Sequence, residues 1–195
     1  MSDLCVLEEF FKPYKASLQK ISFDTTNQKD FCKSTEKAFY FDEYMKDKSG
    51  ADNKSFDALY FDYELSHIYC IEFKKREHGK GSSKPGRIKG KFIDGINELK
   101  NVFENQGLEI TNYKFHLFVI FKSPLEYKKK KDSHLEKRAA KYSMNAEKSN
   151  FLTKDDDFKQ RLPLCQEINK PDIRVGYIRD FMEDYKKLFH HESDC

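Results

Sequence analysis

This chain of 195 residues has no tryptophan and no apolar run of 18 residues, so no membrane-spanning helix and no membrane partner are expected. Its start lacks the basic, apolar and small-residue order of a secretory signal. The five cysteines (Cys5, Cys32, Cys70, Cys165 and Cys195) are scattered, odd in number and never spaced C-x-x-C. They suggest neither a structural zinc site nor a disulfide framework. A reducing compartment fits best, which makes the expected location intracellular, cytoplasmic or nuclear. A Walker A loop, a G-x-S-x-G elbow and a Rossmann fingerprint are all missing, which removes the common nucleotide and esterase chemistries. No internal repeat occurs. His190-His191 has no acidic or thiol partner at ligand spacing.

What is present is charge and aromatic mass together. Charged residues make up 35% of the chain and aromatics 15%, with 18 Phe and 11 Tyr. A disordered chain would lack that apolar mass. The length suits one domain, 1–195, large enough to bury a proper core. The net charge is only +3, but it is unevenly placed. Residues 74–91 hold Lys74, Lys75, Arg76, Lys80, Lys84, Arg87, Lys89 and Lys91 against Glu77 alone, a local +7 that leaves −4 elsewhere. Such a patch suits a polyanion. The plainer reading is a solvated, lysine-rich loop.

Periodicity divides the chain. Residues 2–20 read as a helix with Leu4, Leu7, Phe11, Tyr14 and Leu18 in one stripe, broken or kinked at Pro13. A second short helix fits 24–37. Ala38–Met45 reads as a first strand or as that helix continued, and Lys46–Lys54 as a loop. Two strands follow, about 56–63 and 67–75, then a Gly/Ser/Lys loop. Residues 87–105 are the clearest helix, with Ile88, Phe92, Ile96, Leu99 and Phe103 at helical spacing and Gly107 just past the end. Tyr113–Lys122 has a continuous apolar centre, as a strand buried on both faces does. Strand, helix, strand in that order predicts a parallel crossover. The core is expected over about 36–122, and a helical extension over about 125–195. Tyr177–Phe189 is its last helix.

The segment that carries chemistry is Ser55–Lys75. Glu72 and Lys74 are two apart on a strand otherwise made of Ile68, Tyr69, Cys70, Ile71 and Phe73, so both project to one face. Charges on such a strand are costly unless paired or bound to metal. Asp57 stands 15 residues earlier, a spacing that fits two short strands and a tight turn. An E-x-K can also be an ordinary edge-strand charge pair.

Asp57 followed by Glu72-Phe73-Lys74 resembles the PD-(D/E)xK, or restriction endonuclease-like, nuclease superfamily. One departure is Phe56, where proline is the usual residue before the aspartate. The resemblance spans about 36–122. It implies an α/β fold with a mixed central sheet of about four or five strands flanked by helices. It also implies Mg²⁺ or Mn²⁺ held by Asp57, Glu72 and the Phe73 carbonyl, with Lys74 orienting the water or neutralising charge on phosphate. A further acid often comes from a preceding helix. Glu36 is one candidate, Glu8 and Glu9 are others, and the sequence does not choose. Asp62 and Glu64 have the opposite strand parity and should face away. His116, in a buried strand, reads as a hydrogen-bonded core residue.

The function expected is a metal-dependent nuclease acting on DNA, with RNA the second option. The viral cap-snatching endonucleases share this fold class. Lys75, Arg76, Lys80, Lys84, Arg87, Lys89 and Lys91 would contact the phosphate backbone. The alternative is a non-catalytic nucleic-acid-binding or protein-interaction module on the same fold. Oligomeric state is open, a homodimer included.

Overall fold

The computed structural model describes residues 3–23, 28, 30–50, 54–74, 85–121, 171–178 and 181. Among them the chain forms α1 (Asp3–Phe11), a 3₁₀ turn (Lys12–Tyr14), β1 (Lys15–Ser17), α2 (Leu18–Ile21), β2 (Lys37–Tyr40) and α3 (Phe41–Ser49). It continues as β3 (Ala58–Asp62), β4 (His67–Lys74), α4 (Pro85–Asn105), a 3₁₀ turn (Ile110–Asn112), β5 (Lys114–Phe121) and β6 (Asp172–Tyr177). The described strands make one six-stranded mixed sheet in sequence order. β1 to β4 pair antiparallel, and β5 and β6 join parallel. The protein is therefore α/β, with helices flanking a mixed sheet. No described helix is long and apolar enough to cross a membrane.

Several expectations need correction. The helix expected over 2–20 ends at Phe11. Pro13 lies in the turn that follows, because its ring cannot continue an α-helix. The chain then forms β1 and a short helix capped by the Ser17 side chain, which accepts from the Lys20 N–H. Leu18 consequently leaves the stripe of Leu4, Leu7 and Phe11 and packs on the other face of the sheet. No helix occurs at 30–36. Ala38–Met45 splits, strand to Tyr40 and helix from Phe41, and that helix runs to Ser49 in the segment read as a loop. The extension expected to be helical contains β6 instead, so the sheet exceeds five strands and reaches beyond 36–122. Ile178 and Phe181 are helical and buried, while the rest of the expected final helix lies outside the described residues. Cys32 and Cys70 are free and buried, whereas Cys5 is disulfide-bonded, a bridge the cysteine spacing does not signal.

Strand alternation sorts the core into two layers. Phe39, Leu59, Phe61, Ile68, Cys70, Phe115, Leu117 and Val119 face α1, α3 and α4. Ala38, Ala58, Tyr69, Ile71, Phe73, Phe118 and Ile120 face α2, Phe31, Ile178 and Phe181. β4 and β5 are thus covered on both sides, as their continuous apolar character requires. α4 docks through Ile88, Phe92, Ile96, Leu99 and Phe103, the stripe expected from its spacing.

The second face also holds a polar chain. His116 lies 3.2 Å from Asp172 Oδ2 through Nδ1, and 3.1 Å from His67 Nδ1 through Nε2. The carboxylate can only accept, so Nδ1 of His116 carries the proton and the neutral ring accepts at Nε2 from His67. Tyr69 stacks on the His116 ring at 4.6 Å. This is the hydrogen-bonded core histidine the sequence suggests.

Phe56, the residue in place of proline, is fully buried. It stacks on Phe41 at 4.4 Å and lies 5.9 Å from Phe92. Its ring passes over Gly95, where a Cβ would meet Phe56 Cε1 at 2.6 Å. A helix-interior Gly→Ala change ordinarily gains about 1 kcal/mol. Here the ring is held on both sides, and overpacking costs about 1–3 kcal/mol. Gly95→Ala should therefore destabilise the protein in urea denaturation, and a stabilised variant would show that Phe56 is free to move.

Burial and the neighbouring His67 pull the His116 pKa down to about 4, against the raising effect of Asp172. A folded pKa below the unfolded value gives stability that is present above about 6.5 and lost as pH falls through 4. Allowing for partial screening, about 2 kcal/mol should disappear between pH 7 and pH 4. His116→Phe should remove that part of the acid sensitivity in denaturation series at the two pH values.

Candidate active site

Asp57 precedes β3, and its main chain is fixed on both sides. Its N–H donates to the Ile71 carbonyl at 2.9 Å, and its carbonyl accepts from the Phe41 N–H at 3.1 Å. These bonds tie it to β4 and to the first residue of α3. The side chain is held as well, since Oδ2 accepts from the Phe73 N–H at 2.6 Å. Oδ1 is left to point at neighbouring charge. Phe56 anchors the preceding position in the aromatic stack.

Glu72 and Lys74 project from β4 onto the α4 face, as their spacing requires, beside Val119 and Phe121 of β5. Glu72 is fully buried and Lys74 is 6% exposed. The Lys74 ammonium pairs with Glu72 Oε1. From α4, Lys91 reaches between the two acids. Its Nζ lies 3.0 Å from each Glu72 oxygen and 3.5 Å from Asp57 Oδ1. Both carboxylates therefore converge on one cationic point, with Lys74 beside them. Glu72 Oε1 stands in ion-pairing range of both ammonium groups, yet neither gives it a hydrogen bond of good angle. The ion-pair distances are the better guide here, because an ammonium turns freely to present a proton.

The electrostatics follow. Burial first, then the Asp57 charge, raise the Glu72 pKa to about 7, while Lys91 and Lys74 oppose the rise. Burial lowers the Lys91 pKa, but Asp57 and Glu72 outweigh it and leave the ammonium firmly charged.

A third acid belongs to this neighbourhood. Asp42, in the first turn of α3, also acts on the charge of Lys91. Its Oδ1 accepts from the Ser55 hydroxyl at 3.2 Å, and Oδ2 pairs with Lys46 at 2.8 Å. Sequence reasoning missed it. The signal was the joint between Ala38–Tyr40 and the helix after it, which places an acid at a helix start close to Asp57.

The other candidate acids are not brought here. Glu36 is exposed in the segment before β2, and its charge acts on Tyr60, on the opposite face of the sheet. Glu8 accepts from the Tyr63 hydroxyl and pairs with Lys15 at 2.6 Å. Glu9 is exposed and pairs with Lys12 at 2.9 Å. Asp62 takes the face opposite Asp57, as parity predicts, and its Oδ1 accepts from the Leu65 N–H at 3.0 Å. Of the basic patch, Lys75, Arg76, Lys80 and Lys84 lie outside the described residues. Arg87 is exposed, Lys89 is buried at 7%, and Lys91 serves the two carboxylates rather than a solvated surface.

The donor set suits a hard divalent cation. Two carboxylates meet at one cationic point, and Phe73, whose carbonyl the resemblance implies as a further ligand, directly follows Glu72. Among the described residues no group of three His, Cys, Asp or Glu forms a cage. The remaining positions would fall to the carbonyl, water and substrate, as is usual for Mg²⁺.

No family model, curated protein or solved structure matches the chain.

With a folded pKa raised above its unfolded value, Glu72 favours the folded state at low pH and loses that contribution as pH rises from about 4.5 through 7. Glu72→Gln cannot ionise. Its stability relative to the native chain should therefore improve steadily between pH 5 and pH 8 in urea denaturation. A pH-independent difference would mean Glu72 is ionised throughout this range.

Proposed function

We propose that the protein is a metal-dependent nuclease that hydrolyses phosphodiester bonds on a restriction endonuclease-like core. DNA is the favoured substrate and RNA the second candidate. The observation that carries the reading is the convergence of Asp57 and Glu72 on one cationic point, with Lys74 on the same strand face. Asp57 Oδ1, Glu72 and the Phe73 carbonyl would hold Mg²⁺ or Mn²⁺. Such an ion supplies Lewis acidity toward phosphate and lowers the pKa of a bound water.

The chain's own residues do the rest. The Asp57 carboxylate is held ready by the Phe73 N–H, so little reorganisation is needed when charge develops. Lys74, buried and tethered to Glu72, places its side-chain nitrogen next to where a phosphate would gain negative charge. Arg87 is exposed near the start of α4, one helical turn before Lys91, and supports approach of a polyanion. Contacts from such cations to phosphate give affinity without base information.

Single-stranded and duplex DNA and RNA should be incubated with Mn²⁺ and resolved on gels. Cleavage is expected from the native chain, and a loss of at least about 100-fold from Asp57→Ala, Glu72→Ala and Lys74→Ala, each retaining its fold. Mn²⁺ at 100 times its dissociation constant should stabilise the native chain by about 2.7 kcal/mol and leave Asp57→Ala unchanged. Nucleic-acid binding without cleavage under any of these conditions would favour the non-catalytic module instead.

A further inference from the structure

Lys91 is unexplained by the chemistry above. A nuclease centre with Lys74 already in place has no need of a second ammonium between its carboxylates. Yet Lys91 sits 3.0 Å from both oxygens of Glu72 and 3.5 Å from Asp57 Oδ1. That is the point on which both acids converge. An ammonium and a divalent cation cannot share it, because like charges a few ångströms apart repel strongly at a partly buried site.

The two lysines differ in how easily they can leave. The Lys74 side chain is 7% exposed, on the central strand, and the Lys91 side chain is 23% exposed, on a helix at the rim of the site. A lysine is a point charge on a flexible four-carbon stem, so the ammonium can swing into water while α4 stays docked through Ile88 and Phe92. One turn earlier the exposed Arg87 marks the solvent side of the same helix.

We propose that Lys91 is a resident counter-ion, which a divalent cation must displace from Asp57 and Glu72 before the site is loaded. The inference rests on the nuclease reading and adds regulation to it: cation affinity is set by competition with a side chain of the protein itself. Without the cation, the ammonium keeps the acid pair from repelling. With it, the freed Lys91 is returned to the surface that carries Arg87.

The test is Mn²⁺ titration of the full chain, followed by thermal stabilisation and by the free-Mn²⁺ paramagnetic resonance signal, neither of which depends on cleavage. Lys91→Met keeps the stem and removes the charge, and its midpoint for Mn²⁺ should fall at least tenfold. Lys91→Gln serves if Lys91→Met does not fold. Lys91→Arg retains the charge with a fork that can bind carboxylate in two places, so its midpoint should rise. Lys74→Met removes the same charge from the same site and should shift the midpoint less than Lys91→Met. Asp57→Asn should abolish binding in every background. Equal shifts from Lys74→Met and Lys91→Met, or an unchanged midpoint in Lys91→Met, would overturn displacement while leaving the cation site standing. No Mn²⁺ binding by any variant would overturn both the displacement and the cation reading.

Discussion

The structure is organised around a fully buried carboxylate on its central strand. An unpaired Glu72 in that position would cost several kcal/mol, as much as the whole net stability of many domains. Lys74 alone, coming from the same strand, does not offset it while Asp57 stands nearby with the same charge. The second cation must come from another element, and α4 supplies it through Lys91. Docking of α4 is therefore constrained twice. Its apolar stripe has to meet β4 and β5, and Lys91 has to meet the acid pair in the same register. The stack of Phe41, Phe56 and Phe92 links both requirements, since Phe56 precedes Asp57 and Phe92 follows Lys91.

The sheet keeps two polar systems apart by strand parity alone. Glu72 and Lys74 share one face of β4, while His67 and Tyr69 take the other. The first face holds two carboxylates and two ammonium groups at a rim that solvent can reach. The second holds a chain from the Asp172 carboxylate through the neutral His116 ring to His67. Two residues of shift along β4 leave a side chain on its face, and one residue moves it to the opposite chemistry. Placing both systems on one strand makes its register unusually well specified.

Legibility in the sequence followed the strength of local pattern. β3, β4, α4 and β5 were readable because each repeats its apolar residues at one period over many positions. Glu72 and Lys74 were readable because a strand of fixed parity carried them, and Asp57 because its distance from Glu72 fits a hairpin. β1 was hidden, being three residues long and preceded by a helical stripe that Pro13 cuts short. β6 was hidden in a charged segment, although Ile173, Val175 and Tyr177 alternate as a strand's residues do. Lys91 looked like one more cation in a basic run. Its spacing of three from Ile88 and four to Gly95 already placed it toward the inner side of α4, and charge composition masked that geometry. Asp42 and the position of Glu36 depended on where a strand ended and a helix began, which is the least local information in a chain.

The tight hairpin between β3 and β4 has a consequence for the order in which the site comes into being. Asp57 and Glu72 are joined by local pairing, with Asp62 Oδ1 holding the turn at Leu65. Contacts of short sequence separation form early, because little loop entropy opposes them. An early hairpin brings Asp57 and Glu72 together with Lys74 as their only local cation among the described residues, before α4 has supplied Lys91. The isolated hairpin is then electrostatically frustrated. Arrival of α4 removes that frustration and buries its stripe in one step, so charge neutralisation reinforces the cooperativity of folding and does not merely decorate its end product.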